Sequence, residues 1–475
     1  MMYWSKLLCD TRQTNAKTIN KHDMRSEFQK DYHRIICSAS FRRLQDKTQV
    51  FPLDKSDFVR TRLTHSLEVS SFAKSLGQTS FQYLIDNKPE EKITPEIKEN
   101  VCSILECAGL LHDIGNPPFG HFGEEAIRNW FRNNLSKIKF EDDTLDKYLN
   151  EQMKNDLYHF EGNAQALRLL TKLHYLVDKN GMHLTYALLN TLIKYPVSSC
   201  EINKNSGNIK DKKMGYYLAE KELFENITSS TGAAGYRYPL TYLLEAADDI
   251  AYHTADIEDA VKKGFLTYHR LLKELKSDKY INLCADDEEL KSYMSCINNL
   301  EERYKRSLEK NIINPELNAV QNWVISVQGY LLFCATYGFT INYRDIMSGK
   351  FTQEILQTTY GATLIYALGD IAKELVFKSK EILKAETTAG NIITYLLDKL
   401  VPAVVNYEKG VKLSPMDERL MSLISDNYLE IYEIYSNGKT KDEKLYLRLL
   451  LVTDYICGMT DSYAKQLYRE LNGID

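Results

Sequence analysis

The chain has 475 residues, with 60 Lys and Arg against 65 Asp and Glu, for a formal charge of −5. Hydrophobic residues make up 44% and charged residues 26%, which excludes a wholly disordered chain and allows a large buried core. The mild acidity argues against a dedicated duplex-DNA binder, which would carry a basic domain, but leaves room for a local basic site for a small anion.

At about 150 residues per domain the length suggests roughly three domains, and one large helical body fits equally. The first residues, MMYWSKLLCDTRQTNAK, lack a long apolar stretch and a small-residue cleavage site, so no signal peptide is expected. No run of 18 or more apolar residues occurs, so no membrane-spanning helix is expected. The nine cysteines are scattered without a CxxC, which suggests neither a zinc ribbon nor a redox dithiol, and a cytoplasmic location is expected. Only 22 Gly and 10 Pro punctuate the chain, so long helices are expected.

Helical periodicity dominates. FVRTRLTHSLEVSSFA (58–73) reads as a helix with Arg62 and His65 on one face. Val101, Ile104, Leu105, Ala108 and Leu111 form one face of a second helix. It ends at His112–Asp113, where Gly115, Pro117 and Pro118 stop it, and another helix starts near Phe122. Three polar stretches, 137–158, 200–214 and 277–318, read as loops or excursions, the middle one as a mobile loop. Leu240, Leu243, Leu244 and Ala247 mark a further helix. The stretch 327–343 (VQGYLLFCATYGFTINY) is the most strand-like and suggests a short hairpin near Tyr337 and Gly338. Residues 406–415 read as a connector. No repeat with a period of 20 to 50 residues is evident. The fold class is therefore mostly α with at most a small hairpin.

The strongest chemical signal is AGLLHDIGNPPFGHFGEEA (108–126). Adjacent His112 and Asp113 at a helix end can reach one cation, His with a neutral nitrogen and Asp with a hard oxygen. A buried, hydrogen-bonded cap histidine is the plainer alternative. Context shifts the balance. His65 lies on its own helix, and Asp248, Tyr252 and Asp256 recur at i, i+4, i+8 in YLLEAADDIAYHTADIEDA (242–260). His65, His112, Asp113 and Asp248 would give two nitrogens and two oxygens around one ion, with positions left open for water and substrate. A solvated acidic face is the alternative for the last helix. Against it, Asp248 follows an apolar run, and a buried carboxylate needs a partner.

The pattern H…HD…D resembles the HD phosphohydrolase superfamily. The matching pieces are RSEFQKDYHRIICSASFRRLQDKTQVF (25–51), RTRLTHSLEV (60–69), HDIGNPPFGHFGE (112–124), HFEGNAQALRLLTKL (159–173), KYP (194–196), EAADDIAY (245–252) and GMTDSYA (458–464). Together they resemble the deoxyguanosine triphosphate triphosphohydrolases and related deoxynucleotide triphosphohydrolases. The resemblance implies an HD-domain helical bundle with an elaborated helical C-terminal region. It suggests an N-terminal extension over 1–24, a phosphohydrolase core over 25–270, and a region over 271–475 that completes the pocket and makes subunit contacts.

Roles follow from the resemblance. His65, His112, Asp113 and Asp248 match the metal ligands, and His121 with Glu124 the catalytic pair. Arg62 matches a phosphate-binding arginine, Lys194 and Tyr195 a further phosphate-contacting pair, and His159 a phosphate-side histidine that could equally be a helix cap. Gln49, Tyr252 and Asp256 match the deoxyribose reader, in which the tyrosine ring fills the space of a 2′-hydroxyl. Val50 sits where the base approaches. Arg25, Asp31, Arg34, Arg42 and Arg43 are expected mostly to form ion pairs under the site.

The implied reaction is metal-dependent hydrolysis of dGTP, and of other dNTPs, to deoxynucleoside and triphosphate by attack of water at the α-phosphate. One divalent ion per subunit is implied, Mn²⁺ or Mg²⁺ with iron also compatible. A homo-oligomer, often a hexamer, is implied as well. Single-stranded DNA is a candidate regulator and a membrane is not a partner. The rival readings are another HD-type nucleotide phosphohydrolase and a non-catalytic regulator that binds nucleotide or single-stranded DNA.

Overall fold

The computed structural model describes residues 1–14, 23–50, 60–175, 178–408 and 412–474. Among them the regular structure is almost all helical, with one antiparallel two-stranded sheet pairing Lys139–Phe140 with Asp143–Thr144. Phe51, residues 58–59 and residues 409–411 of the connector lie outside the described residues.

The strand-like stretch 327–343 is helical instead, as the end of the helix Pro315–Ile341. Its β-branched and aromatic residues lower helix propensity by a few tenths of a kcal/mol each. Val320, Trp323, Val327, Leu331 and Phe339 are buried along it, and burying one such side chain is worth about 1.5–3 kcal/mol. Packing therefore outweighs propensity. The helix is long and apolar enough to cross a membrane by composition, but this buried side packs into the protein core.

Residues 277–318 also differ from the loop expectation. They hold the helix Asp287–Glu309, capped by Asp286, whose carboxylate accepts from the Glu289 backbone N–H. Its buried stripe is narrow, Tyr293, Ile297 and Leu300, so the charged remainder concealed the period. Residues 200–214 carry only a short turn of helix at Ile209–Asp211.

The helices Arg62–Asn87 and Pro95–Leu111 pack closely because small residues face each other. A Cβ on Gly109 would lie 2.4 Å from the Ser70 Cα, and the Ser70 hydroxyl donates to the Glu106 carbonyl at 2.7 Å. The helix Pro239–Lys262 crosses both and is buried on several sides. The C-terminal half closes over the far side. Trp130 on the helix Gly120–Asn134 donates to Asp398 on the helix Lys380–Val405 at 2.7 Å. Arg168 forms buried ion pairs with Asp454 on the helix Lys441–Cys457 and with Glu220.

The expected ion-pair floor from residues 25–43 is only partly formed. Asp31 pairs with Arg12 and accepts from Thr185, and Arg25 pairs with nearby Asp23. Arg42 and Arg43 donate to the carbonyls of Cys37 and Gly458.

Candidate active site

The site forms where three helix ends and one helix face meet. Thr61 caps the helix Arg62–Asn87 in a reciprocal bond with Thr64, which places Arg62 and His65 in its first turn. His112 follows the last residue of the helix Pro95–Leu111, and its Nδ1 lies 2.8 Å from the Gly109 carbonyl. Nδ1 carries the proton in that bond, which leaves Nε2 facing inward, a donor to the carboxylates when the ring is protonated and a lone pair when it holds a cation.

His65, His112 and Asp113 each offer one ligand atom, and these lie within 4.8 Å of one another. Asp248, on the helix Pro239–Lys262, joins them. Its Oδ1 is 3.2 Å from His65 Nε2 and 3.4 Å from His112 Nε2. Among the described residues the buried His112 Nε2 finds no hydrogen-bond partner, although two carboxylates flank it. That arrangement fits a divalent cation, since a buried nitrogen lone pair beside hard oxygens otherwise goes unsatisfied.

Cations surround these carboxylates. Arg62 pairs with Asp113, and Lys194 Nζ lies 3.2 Å from Asp248 and 2.5 Å from Glu245. Burial alone would raise both aspartates. Arg62 and His112 outweigh it at Asp113, and His112 and Lys194 outweigh it at Asp248, so both stay below the usual carboxylate range. Asn116 Nδ2 donates to Asp113 Oδ1 at 2.6 Å and fixes its orientation.

His121 and Glu124 share the first turns of the helix Gly120–Asn134, 3.1 Å apart between Nδ1 and Oε2. Glu124 is buried while the His121 ring is 74% exposed, so Nε2 is accessible. The Gly162 N–H donates to Glu124 Oε1 at 2.8 Å, and a Cβ on Gly162 would lie 2.1 Å from the Asn116 Oδ1. Burial raises the Glu124 carboxyl, but the His121 bond and the Lys213 and Arg128 charges overcome it and keep it ionised below its ordinary value. Gly120, at φ +57°, lets the Arg62 guanidinium lie against the backbone, where a Cβ would be 2.4 Å from Nη2.

These groups border a cavity of about 540 Å³. Its wall includes Gln49, Val50, Arg62, Asp113, His121, Lys194, Tyr195, Asp248 and Tyr252. His65, His112 and Glu124 are buried behind that wall. Asp256 is also off the wall, buried one turn beyond Tyr252, whose hydroxyl faces its carboxyl, and among the described residues the Gln49 Oε1 has no hydrogen-bond partner. His159 is not brought to the cavity. It ends the helix Glu151–Tyr158 beside Arg132, and burial with that charge lowers its pKa.

Several cavity residues escaped the sequence reading. Lys212 and Lys213 come from the polar loop 200–214, and Glu354, Phe377 and Ile382 from the C-terminal half. The KDKK run resembles a solvated face, and no local spacing marks the others. His253, beside Tyr252, also lines the cavity, and burial pushes its pKa down to about 4.

The HD domain family profile matches residues 62–166, which include His65, His112, Asp113, His121 and Glu124. A deoxyguanosinetriphosphate triphosphohydrolase-like protein of Listeria innocua is 48% identical over 481 residues, spanning 100% of both chains. The chain belongs to the deoxyguanosinetriphosphate triphosphohydrolase-like family of HD-domain proteins. A Pseudomonas aeruginosa relative with the same description is 33% identical over 482 residues, 99% of each chain. A Salmonella enteritidis protein named deoxyguanosinetriphosphate triphosphohydrolase is 33% identical over 501 residues, covering 96% of this chain and 95% of its own. Membership makes the chain a hydrolase, and its His/Asp cluster has the donors for a metal ion.

Proposed function

We propose that the protein hydrolyses deoxynucleoside triphosphates, dGTP among them, to deoxynucleoside and inorganic triphosphate in the cytoplasm. The observation that carries this reading is the His65, His112, Asp113 and Asp248 cluster beside the His121–Glu124 pair, in one cavity with Arg62 and Lys194. The cavity volume, about 540 Å³, lies within the range of small-molecule sites.

A divalent ion held by His65, His112, Asp113 and Asp248, whether Mn²⁺, Mg²⁺ or iron, would polarise the α-phosphate and lower the pKa of water. Arg62 and Lys194 balance charge on the triphosphate, with Tyr195 beside them. His121 exchanges a proton through Nε2 with the attacking water or the leaving 5′-oxygen, while Glu124 holds its ring through Nδ1. Gln49 supplies an unsatisfied polar atom on the cavity wall for the 3′-hydroxyl, with Asp256 buried behind Tyr252 as its expected partner, the Tyr252 ring crowds the 2′ position, and Val50 approaches the base.

The test is incubation with each dNTP and rNTP plus Mn²⁺ or Mg²⁺, with chromatography of the products. Deoxynucleoside and triphosphate in equal amounts are expected. Release of orthophosphate or pyrophosphate instead overturns the reaction, and turnover of GTP as fast as dGTP overturns the role of Tyr252.

We further propose that the chain self-associates through the helix Pro315–Ile341. Residues 317–341 contain no charged side chain, yet Ile325, Phe333, Tyr337 and Ile341 are 48–69% exposed. Recurring at four- and eight-residue spacing, they form an apolar stripe that winds slowly round the helix, with Gly329 open along it. Phe333→Glu is expected to dissociate the assembly with the fold retained. An unchanged mass by light scattering would show that this face is not the contact.

A further inference from the structure

We infer that the C-terminal turn 457–461 is a positioning device for the active site, and that Asp461 is its central positioning residue. Asp461 opens the helix Asp461–Leu471 and is 2% exposed. It lies 342 residues from Phe119 in sequence, and its Oδ1 accepts from the Phe119 N–H at 2.9 Å. Its Oδ2 accepts from the Thr48 N–H at 3.0 Å and the Thr48 hydroxyl at 2.5 Å.

Lys47 makes the complementary link. Its buried ammonium donates to the Asn116 carbonyl at 2.6 Å and the Cys457 carbonyl at 2.7 Å. The Lys47 carbonyl in turn accepts from the Arg62 N–H at 2.9 Å. One carboxylate and one ammonium thus join the segment before Gln49 to the turn after His112–Asp113, and the Lys47 carbonyl ties that segment to the start of the Arg62 helix.

What Asp461 holds is placed for chemistry. Phe119 is the N-cap of the His121 helix, stands at φ +64°, and caps with no side-chain bond of its own. A non-glycine residue there needs outside support. Asp461 supplies it two residues before His121, and a carboxylate at a helix N-terminus also complements the dipole. Thr48 is one residue before Gln49. The group presents acceptors only, to three donors at once. An asparagine would turn N–H toward at least one of them. The kinetic part of this inference rests on the triphosphohydrolase reading, and the exchange part does not.

The experiment compares the full-length Mn²⁺-loaded protein with Asp461→Asn and Thr48→Val. It reads bound metal, Tm, backbone amide exchange over 46–50 and 116–121, and kcat and KM for dGTP and GTP. Asp461→Asn is expected to speed exchange in both segments with bound metal unchanged. It should lower kcat for dGTP on the order of 10²-fold with little change in KM, as misplacement of a reacting group does. Thr48→Val keeps the carboxylate and the Phe119 bond. It is expected to speed exchange over 46–50 alone and to lower the preference for dGTP over GTP more than it lowers kcat. A fall in Tm with unchanged exchange and unchanged kcat in Asp461→Asn would show a packing role and overturn the inference. If Asp461→Asn does not fold, uniform exchange and unaltered dGTP preference in Thr48→Val overturn it. If the parent protein does not hydrolyse dGTP, the functional reading fails and the exchange result still decides the positioning role.

Discussion

His112→Ala is expected to abolish triphosphate release from dGTP and to empty the metal site. The reason lies in the ring's two nitrogens. Nδ1 is committed to the Gly109 carbonyl, so the whole side chain serves to present Nε2 between Asp113 and Asp248. Without it the cluster keeps one nitrogen donor, His65, and the two carboxylates lose the group that separates them. Charge stabilisation by a bound divalent ion is worth several kcal/mol, and about 4 kcal/mol corresponds to roughly 10³-fold in rate. A loss of at least that size is expected, together with loss of stoichiometric Mn²⁺ by elemental analysis. Chelation of the parent protein should reproduce the kinetic defect, and added Mn²⁺ should restore the parent but not the variant. Metal retained at full occupancy with activity near the parent value would remove His112 from the ligand set.

The site divides into a part that the sequence displays and a part that it hides, and the division follows chain geometry. His112, Asp113, His121 and Glu124 lie within 13 positions, and their relations are set by one helix end, one turn and one helix start. Arg62 with His65, and Asp248 with Tyr252, are fixed by helical spacing in the same way. Such local constraints survive in a one-dimensional reading. Lys212, Lys213, Glu354 and Asp461 have no local constraint of that kind. Their partners are chosen by how distant segments cross, and a lysine run in a polar loop looks alike whether it faces solvent or a cavity. His159 shows the converse. Its motif is distinctive, yet the ring sits at a helix end away from the cavity wall. The fold class was legible because helical period is a strong signal. The stretch 327–343 looks like a hairpin in sequence because both its faces carry apolar residues, which erases the period that separates a helix from a strand.

Arg168→Met is expected to produce the largest loss of stability, because it leaves two buried carboxylates short of charge. Arg168 grips Asp454 through Nε and Nη2, with Nη2 at 2.7 Å, and reaches Glu220 through Nη1 at 2.9 Å. All three side chains are almost fully buried. In the variant, among the described residues, Asp454 keeps the Gln165 amide at 2.8 Å and Glu220 keeps Lys172 at 2.9 Å. Breaking a buried pair from one side costs about 3–5 kcal/mol, far more than the intact pair contributes over an apolar replacement. The deficit should depend on pH with a definite sign. Burial already raises the Asp454 carboxyl above its ordinary value, with Arg168 opposing that rise. Without Arg168 the folded pKa rises further, so folding takes up a proton. The deficit is then smallest below the unfolded value, about pH 4, and grows as pH rises toward the folded one. Denaturant unfolding of parent and variant at about pH 5 and about pH 8 measures this directly, with the larger difference expected at the higher pH. The double variant Arg168→Met/Asp454→Leu tests the cause, since removing the stranded carboxylate should recover much of the loss and flatten the pH dependence. A double variant no more stable than Arg168→Met would place the cost in lost packing of the arginine stem instead.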